Sequence, residues 1–311
     1  MRVAAYTCRR QGVLRASKNM SRVVKLSTWE NCACAFPNSR LSAKIRYYMK
    51  ETFTRALVRP PHRNFSAGLT RSGLGTPDFE RAREQHSDYC AALEQCGLAL
   101  TRLEPDPNYP DSTFVEDTAV LTESCAVITR PGAPSRRGEV VEIRSVLASF
   151  YAEVFSIEPP GTLDGGDVCQ SGDHFFIGLS ERTNEAGAQQ LADLLARFGY
   201  STSFVDIRKT DGLLHLKSGL AYLGDRRLVM PEALEEVFVG GQVFTNCEIV
   251  RVESQEAYAA NCIRVNDSVL LPAGHKLFVG TLRDLGYQTF ELEMSEFQKM
   301  DAGLSCLSLR F

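Results

Sequence analysis

Reactive side-chain types recur at matching points along this sequence. Glu116 and Asp117, Asp164 and Asp167, His215, Asn261 and Cys306 each stand just before or at the start of a short apolar run. A thiolate is the nucleophile of cysteine chemistry. An imidazole moves protons near neutral pH, and grouped carboxylates hold a cation through charge-assisted hydrogen bonds. The set therefore supplies a nucleophile, a base and an anionic cradle, provided folding brings the positions together. Taken singly, each residue has a plainer reading. His215 lies between Leu214 and Leu216 as a core histidine would, and Cys306 sits near Leu304 and Leu307 as a small core residue would. Gly165 and Gly166 read as a turn, Asp111 and Asp117 as a turn residue and a cap. The shared position in a repeat favours the chemical reading.

That repeat is visible in the apolar pattern. Paired β-like runs start at Thr118, Asp167, Leu216 and Cys262, at spacings of 49, 49 and 46 residues. The pairs are 118–121 with 126–129, 167–169 with 174–178, 216–223 with 227–230, and 262–265 with 268–271, each around a polar turn. Helical patterns follow at 140–151, 182–198, 231–238 and 277–285, and strand candidates after those at 154–158, 201–207, 244–252 and 289–293. A fifth unit assembles from the ends: 304–311 pairs with 53–58, then a helix at 76–95 and a strand at 98–103 complete it. Closure of five ββαβ units predicts a pseudo-symmetric, five-bladed α/β propeller, which limits open sheet edges. In such a ring, equivalent positions surround the axis, so Cys306, His215 and the carboxylates are expected at one end of the channel. An open doubly wound sheet would need longer buried parallel strands and a glycine-rich phosphate turn. Neither GxGxxG nor GxxxxGK[ST] occurs.

With 311 residues, 44% hydrophobic and 23% charged, the chain can bury a full core, which excludes disordered and fibrous classes. No run approaches the ~18 apolar residues of a membrane-spanning helix, and a net charge of -3 gives no general attraction to nucleic acid. The charge is unevenly placed. Residues 1–50 hold eleven Lys and Arg against Glu30 alone, leaving 24 basic and 37 acidic residues beyond them. We therefore expect a basic N-terminal extension over 1–52 and one catalytic domain over 53–311. The extension has the composition of an organellar transit peptide; a disordered tail, or translation from Met49, is the alternative. Ten scattered cysteines without CxxC predict reduced thiols in an intracellular, cytoplasmic or mitochondrial setting, with no zinc site. The sequons at Asn64 and Asn266 are then chance matches.

Residues 54–311 carry longer runs in a characteristic order: ALVRPP at 56–61, PDSTFVEDTAV at 110–120, ITRPGAPSRR at 128–137, TLDGGDV at 162–168, FFIGLSERTN at 175–184, LHLKS at 214–218, NCIRVN at 261–266 and MDAGLSC at 300–306. They resemble the dimethylarginine dimethylaminohydrolase family of the pentein, or guanidine-modifying, superfamily, whose fold is a five-bladed α/β propeller. The extension has no counterpart in that pattern. The resemblance implies Cys306 as nucleophile, His215 as general acid and base, and Asp164 as the third catalytic carboxyl. It implies Asp117 as the grip on the substrate guanidinium, with Glu116 in the same acidic run. Asp111 and the backbone at Met300 would meet the α-amino group, Arg136 and Arg182 the α-carboxylate, and Leu69 would lie in a lid loop. The implied reaction is hydrolysis of N-ω-methylated L-arginine to L-citrulline and a methylamine through a thiouronium intermediate, tying the chain to arginine metabolism and nitric oxide regulation. No metal or organic cofactor is required. The implied partner is a methylated arginine, with no nucleic acid or membrane; a homodimer is compatible. Arginine deiminase or amidinotransferase activity on the same fold is an alternative, and a non-enzymatic methylarginine-binding regulator is another.

Overall fold

The computed structural model describes residues 52–239, 244 and 247–311. Apart from Thr52, the expected N-terminal extension lies outside the described residues. The remainder forms five three-stranded sheets, each built the same way. A tight turn joins the first two strands antiparallel, and a helix carries the chain back to a third strand parallel to the second. The first complete unit is β3 (Ala119–Leu121), β4 (Ala126–Ile128), α2 (Val140–Leu147) and β5 (Val154–Ser156). The next three are β6 (Val168–Ser171), β7 (His174–Leu179), α3 (Glu185–Arg197) and β8 (Ser201–Asp206); β9 (Ala221–Gly224), β10 (Arg227–Pro231), α4 (Glu232–Val239) and β11 (Glu248–Val252); and β12 (Ile263–Val265), β13 (Ser268–Pro272), α5 (Lys276–Asp284) and β14 (Gln288–Leu292).

The fifth unit is split between the ends of the folded chain. Strand β15 (Leu309–Arg310) pairs antiparallel with β1 (Arg55–Val58), which runs parallel to β2 (Ala99–Arg102) after α1 (Phe79–Gln95). The amides of Thr54 and Arg55 donate to the Phe311 carbonyl at 2.9 and 2.8 Å. This is the five-bladed α/β propeller expected from the 49-residue period.

Helix packing explains why the units hold. Asp78 caps α1 by accepting from the Arg81 amide at 2.8 Å, and Ala82, Tyr89 and Leu93 place one apolar stripe against the sheet. On α3, Asn184 accepts from the Gly187 amide at 2.8 Å, while Leu191 and Leu195 are fully buried. Each such leucine contributes about 1.5–3 kcal/mol.

Two expected strands are corrected. The run 304–311 is strand only at β15, and Ser305–Leu307, which contains Cys306, is a 3-10 turn. Likewise 216–223 begins as the turn Leu216–Ser218. Further turns, Val115–Thr118 and Gly165–Asp167, precede β3 and β6, and Ser254–Ala260 ends just before Asn261. Apolar character suits either conformation at these places. Tertiary hydrogen bonding contributes, because the amides of Gly166, Leu216 and Ser305 are captured by side-chain oxygens of the adjacent turn.

Candidate active site

The turns that open the five sheets are stitched edge to edge. Asp117 Oδ1 accepts from the Gly166 amide at 2.9 Å, Asp167 Oδ1 from the Leu216 amide at 3.0 Å, and Asn261 Oδ1 from the Ser305 amide at 3.1 Å. The same bond is thus made at three places in the repeat, each time by a short acidic or amide side chain. Ser305 Oγ adds a fourth link by donating to Glu116 Oε2 at 2.8 Å. This stitching carries the reactive side chains to one place.

His215 directs Nε2 to Asp164 Oδ2 at 3.0 Å and lies 4.0 Å from Asp117 Oδ1. Asp164 is fully buried, and its other oxygen accepts from the Gly132 amide at 2.8 Å, so its aim is fixed from two sides. The imidazole packs over Gly166: a Cβ there would come within 2.9 Å of His215 Cγ and Nδ1, and one on Gly165 within 2.0 Å of the Glu116 carbonyl. The two glycines form the expected turn and also allow this close approach. Cys306 is partly exposed and lies in the field of Glu116 and Asp117; Ser305 Oγ is 4.0 Å from its sulfur. The Asp117 charge therefore acts on both the imidazole and the thiol.

Electrostatics set the resting protonation. Burial alone would lower the His215 pKa, but the Asp117 charge and the Asp164 hydrogen bond outweigh it and raise it to about 9. Burial opposes ionisation of Asp117 too, but His215 and Arg136 hold it below the usual carboxylate range. Burial, then the charges of Glu116 and Asp117, push the Cys306 thiol up to about 12. At neutral pH the site holds an imidazolium and a neutral thiol.

The remaining expected residues are placed as follows. Asp111 is buried and accepts from the Leu69 amide at 3.0 Å. Leu69 itself is 43% exposed, on a segment that Thr70 and Ser72 tie to the Lys299 carbonyl at 2.8 and 2.7 Å. Met300 is buried, and its methyl lies 2.9 Å from where a Cβ on Gly68 would stand. Arg182 is partly buried; burial raises the Asp111 pKa, and the charges of Arg136 and, less strongly, Arg182 oppose that rise. Glu116 pairs with Lys217 at 2.7 Å.

Arg136 is held by protein groups on every side of its guanidinium. Its side chain is buried, with Nη1 donating to Asp117 Oδ2 at 2.5 Å, Nε to both Glu139 oxygens at 3.1 Å, and Nη2 to the carbonyls of Asp111 and Phe114. A guanidinium taken out of water must keep carboxylate partners, and Arg136 braces Asp117. Sequence reasoning assigned no role to Lys217, Ser305 or Glu139, and counted Asp167 only among the carboxylates expected to gather at the channel end. Asp167 accepts from Ser180 Oγ and Thr183 Oγ1, both at 2.6 Å, as well as from the amide after His215. Its place 50 residues after Asp117 is the repeat signal that singled it out in the sequence; its structural role as an acceptor appears only in the fold.

Asp117, Asp164 and His215 offer ligand atoms within 4.8 Å of one another. A divalent cation there would displace the His215 proton and crowd Arg136, whereas a planar monocation seated between Asp117 and the thiol fits the charges present.

The sequence model of arginine deiminase matches residues 79–237. The N(G),N(G)-dimethylarginine dimethylaminohydrolase of Pseudomonas aeruginosa is 46% identical over 260 residues, covering 83% of this chain and all of that protein. The chain belongs to the dimethylarginine dimethylaminohydrolase family. The Streptomyces coelicolor enzyme of the same name is 34% identical over 82% of this chain and 96% of its own. A solved Pseudomonas aeruginosa structure of the family, a cysteine-to-serine variant complexed with citrulline, superimposes with a TM-score of 0.80 at 44% identity, covering 84% of this chain and all of that one. The N-terminal domain of the cyanobacterial arginine dihydrolase ArgZ, 18% identical with a TM-score of 0.72 over 84% of this chain and 97% of its own, shares the fold.

Proposed function

We propose that the chain hydrolyses N-ω-methylated L-arginine to L-citrulline and a methylamine, with Cys306 as nucleophile and His215 as the proton carrier. The observation that carries this reading is the 3.0 Å contact of His215 Nε2 with Asp164, made 4.0 Å from Asp117, whose charge also acts on the Cys306 thiol. Named relatives and a citrulline complex support it.

A guanidinium carbon is a weak electrophile because its charge is spread by resonance. The site must fix the plane and provide a strong nucleophile. A substrate guanidinium against Asp117 puts a cation beside the Cys306 sulfur, offsetting the carboxylates that keep the thiol protonated. The thiol proton leaves to solvent, and the thiolate forms an S–C bond to the guanidinium carbon. As the C–N bond to the methylated nitrogen breaks, the Nε2 proton of His215 passes to the departing amine. Neutral His215 then takes a proton from water, hydroxide adds to the thiouronium carbon, and the C–S bond breaks to give citrulline and free Cys306. Asp164 stabilises the imidazolium that forms again. Arg182 is the cation best placed for the substrate carboxylate, and Asp111 beneath Leu69 the acceptor best placed for the α-amino group.

Incubation with asymmetric dimethylarginine and measurement of citrulline tests the reading. Turnover that Cys306→Ser abolishes is expected; none by the wild type refutes it. The match to the arginine deiminase model favours one second reading, deimination of arginine itself, in which case arginine is the faster substrate.

A further inference from the structure

We infer that the groove beside α2, at the ends of β4 and β5, binds a small phosphate monoester. A cavity of about 270 Å³ lies there, lined by Arg130, Arg137 and Arg144 together with the buried Ile128 and Ile157. None of Cys306, His215, Asp117 or Asp164 lines it, and neither does any carboxylate among the described residues. Beyond residue 50 the chain has 37 acidic residues against 24 basic. A recess with three arginines and no acid is therefore out of keeping with the body around it.

The three guanidiniums are anchored without being neutralised. Arg130 Nη1 donates to the Gly161 carbonyl at 3.0 Å and Arg137 Nε to the Pro131 carbonyl at 3.2 Å, while Arg144 Nη1 donates to Ser156 Oγ. Each bond fixes a side chain, but a carbonyl or hydroxyl cancels no charge, and most N–H donors of each guanidinium stay unused. Arg59, Arg102, Arg208 and Arg251, by contrast, each have a carboxylate within 3.3 Å. The acids next in sequence to the groove are engaged elsewhere, Glu139 by Arg136 and Glu142 by Arg59. Nor do these arginines serve the reacting groups. From the same loop, Thr129 Oγ1 donates to the Asp117 carbonyl at 2.6 Å and the Gly132 amide to Asp164 Oδ1 at 2.8 Å, whereas Arg130 and Arg137 line the groove.

Charge and size narrow the ligand. A phosphate monoester carries about -1.5 to -2 at neutral pH and presents three acceptor oxygens, so it can meet three forked guanidiniums where a carboxylate, with two oxygens, cannot. At about 270 Å³ the cavity falls just under the ~300–1,000 Å³ of sites for drug-sized ligands, which leaves room for the phosphoryl group and a short organic body. The wall also calls for that body. Val140 and Val141 line the groove beside Arg144, and Val141 is 71% exposed. An organic group laid against it removes apolar surface from water that inorganic phosphate would leave wet. Phosphatidic acid carries the same headgroup on a lipid, and the test separates the two sources.

Two measurements on the full chain decide the matter. Isothermal titration calorimetry with phenyl phosphate should give one-to-one binding, about threefold or more tighter than inorganic phosphate because the ring covers Val141. Arg144→Gln, which removes an exposed guanidinium, should weaken that binding about tenfold. An undiminished affinity in Arg144→Gln, phenyl phosphate no tighter than inorganic phosphate, or binding only to phosphatidylcholine vesicles that contain phosphatidic acid overturns the proposal. In crystals soaked with phenyl phosphate, the phosphoryl group should lie within hydrogen-bond reach of Arg130, Arg137 and Arg144. Density confined to the pocket of Cys306 or to other surfaces refutes the site, and this wild-type map decides alone should the variant fail to fold.

Discussion

Replacing Asp164 with Asn isolates the link between the buried carboxylate and the proton carrier. The Asn side chain can keep its oxygen on the Gly132 amide, now 2.8 Å from Asp164 Oδ1, which leaves its NH2 group facing His215 Nε2. Two N–H donors cannot share that contact, now 3.0 Å, so His215 is driven to the neutral form with Nε2 as acceptor and the proton on Nδ1. A charge-assisted hydrogen bond contributes about 1.5–3 kcal/mol. At 1.36 kcal/mol per pKa unit, its loss lowers the His215 pKa by roughly 1–2 units, from about 9 toward the neutral range. Asp117 and Asp167 remain and keep it from falling further. Between the lowered pKa and the original one the leaving amine meets a nitrogen without a proton, and kcat for citrulline release in that pH range should fall roughly 10–100-fold. KM should change little, because Asp164 is expected to touch His215 and not substrate. Two assays read this: kcat and KM against pH with dimethylarginine, and an NMR titration of the His215 ring in both proteins. An unshifted His215 pKa, or a kcat within threefold of wild type, would refute the reasoning.

Other outcomes follow from the same geometry. The free thiol, pushed up to about 12, should react slowly with iodoacetamide at pH 7 and faster as pH rises. A guanidinium ligand that does not turn over should speed alkylation before it shields the sulfur, and a pH-independent rate contradicts this. Because the His215 pKa is raised from its unfolded value to about 9, its stabilisation is complete below about pH 6.5, fades as pH passes 9, and amounts to at most about 3 kcal/mol. Urea unfolding of wild type and His215→Gln across that window should converge at the alkaline end. Asp167→Ala strands three donors, from Ser180, Thr183 and Leu216, and should cost roughly 2–5 kcal/mol in urea unfolding, with Asp167→Asn milder. Gly166→Ala puts a methyl 2.9 Å from the His215 ring; it should lower kcat at least tenfold in the citrulline assay while leaving far-ultraviolet circular dichroism native.

The architecture was legible because its causes are local and periodic. Two apolar runs around a polar turn form a hairpin whatever surrounds them, and α1 and α3 show their caps at Asp78 and Asn184 and their buried stripes in the linear order of residues. Repetition of that pattern at a near-constant interval fixed the number of blades, and the matching positions of Asp117, Asp164, His215 and Cys306 pointed to convergence at one end. The family match rests on the same runs. What the sequence could not decide is which partner each polar group takes once neighbours from other blades arrive. Arg136 has the right type to clasp a carboxylate, but only the packed structure shows that Asp117 and Glu139 occupy its donors. The 3-10 turn that carries Cys306 resembles strand in apolar content, and its Ser305 amide is claimed by Asn261, 44 positions earlier. The protonation of His215 and Cys306 likewise depends on charges from Asp117, Asp164 and Glu116. Such terms depend on distance and on exclusion of water, and both exist only after the ring has closed.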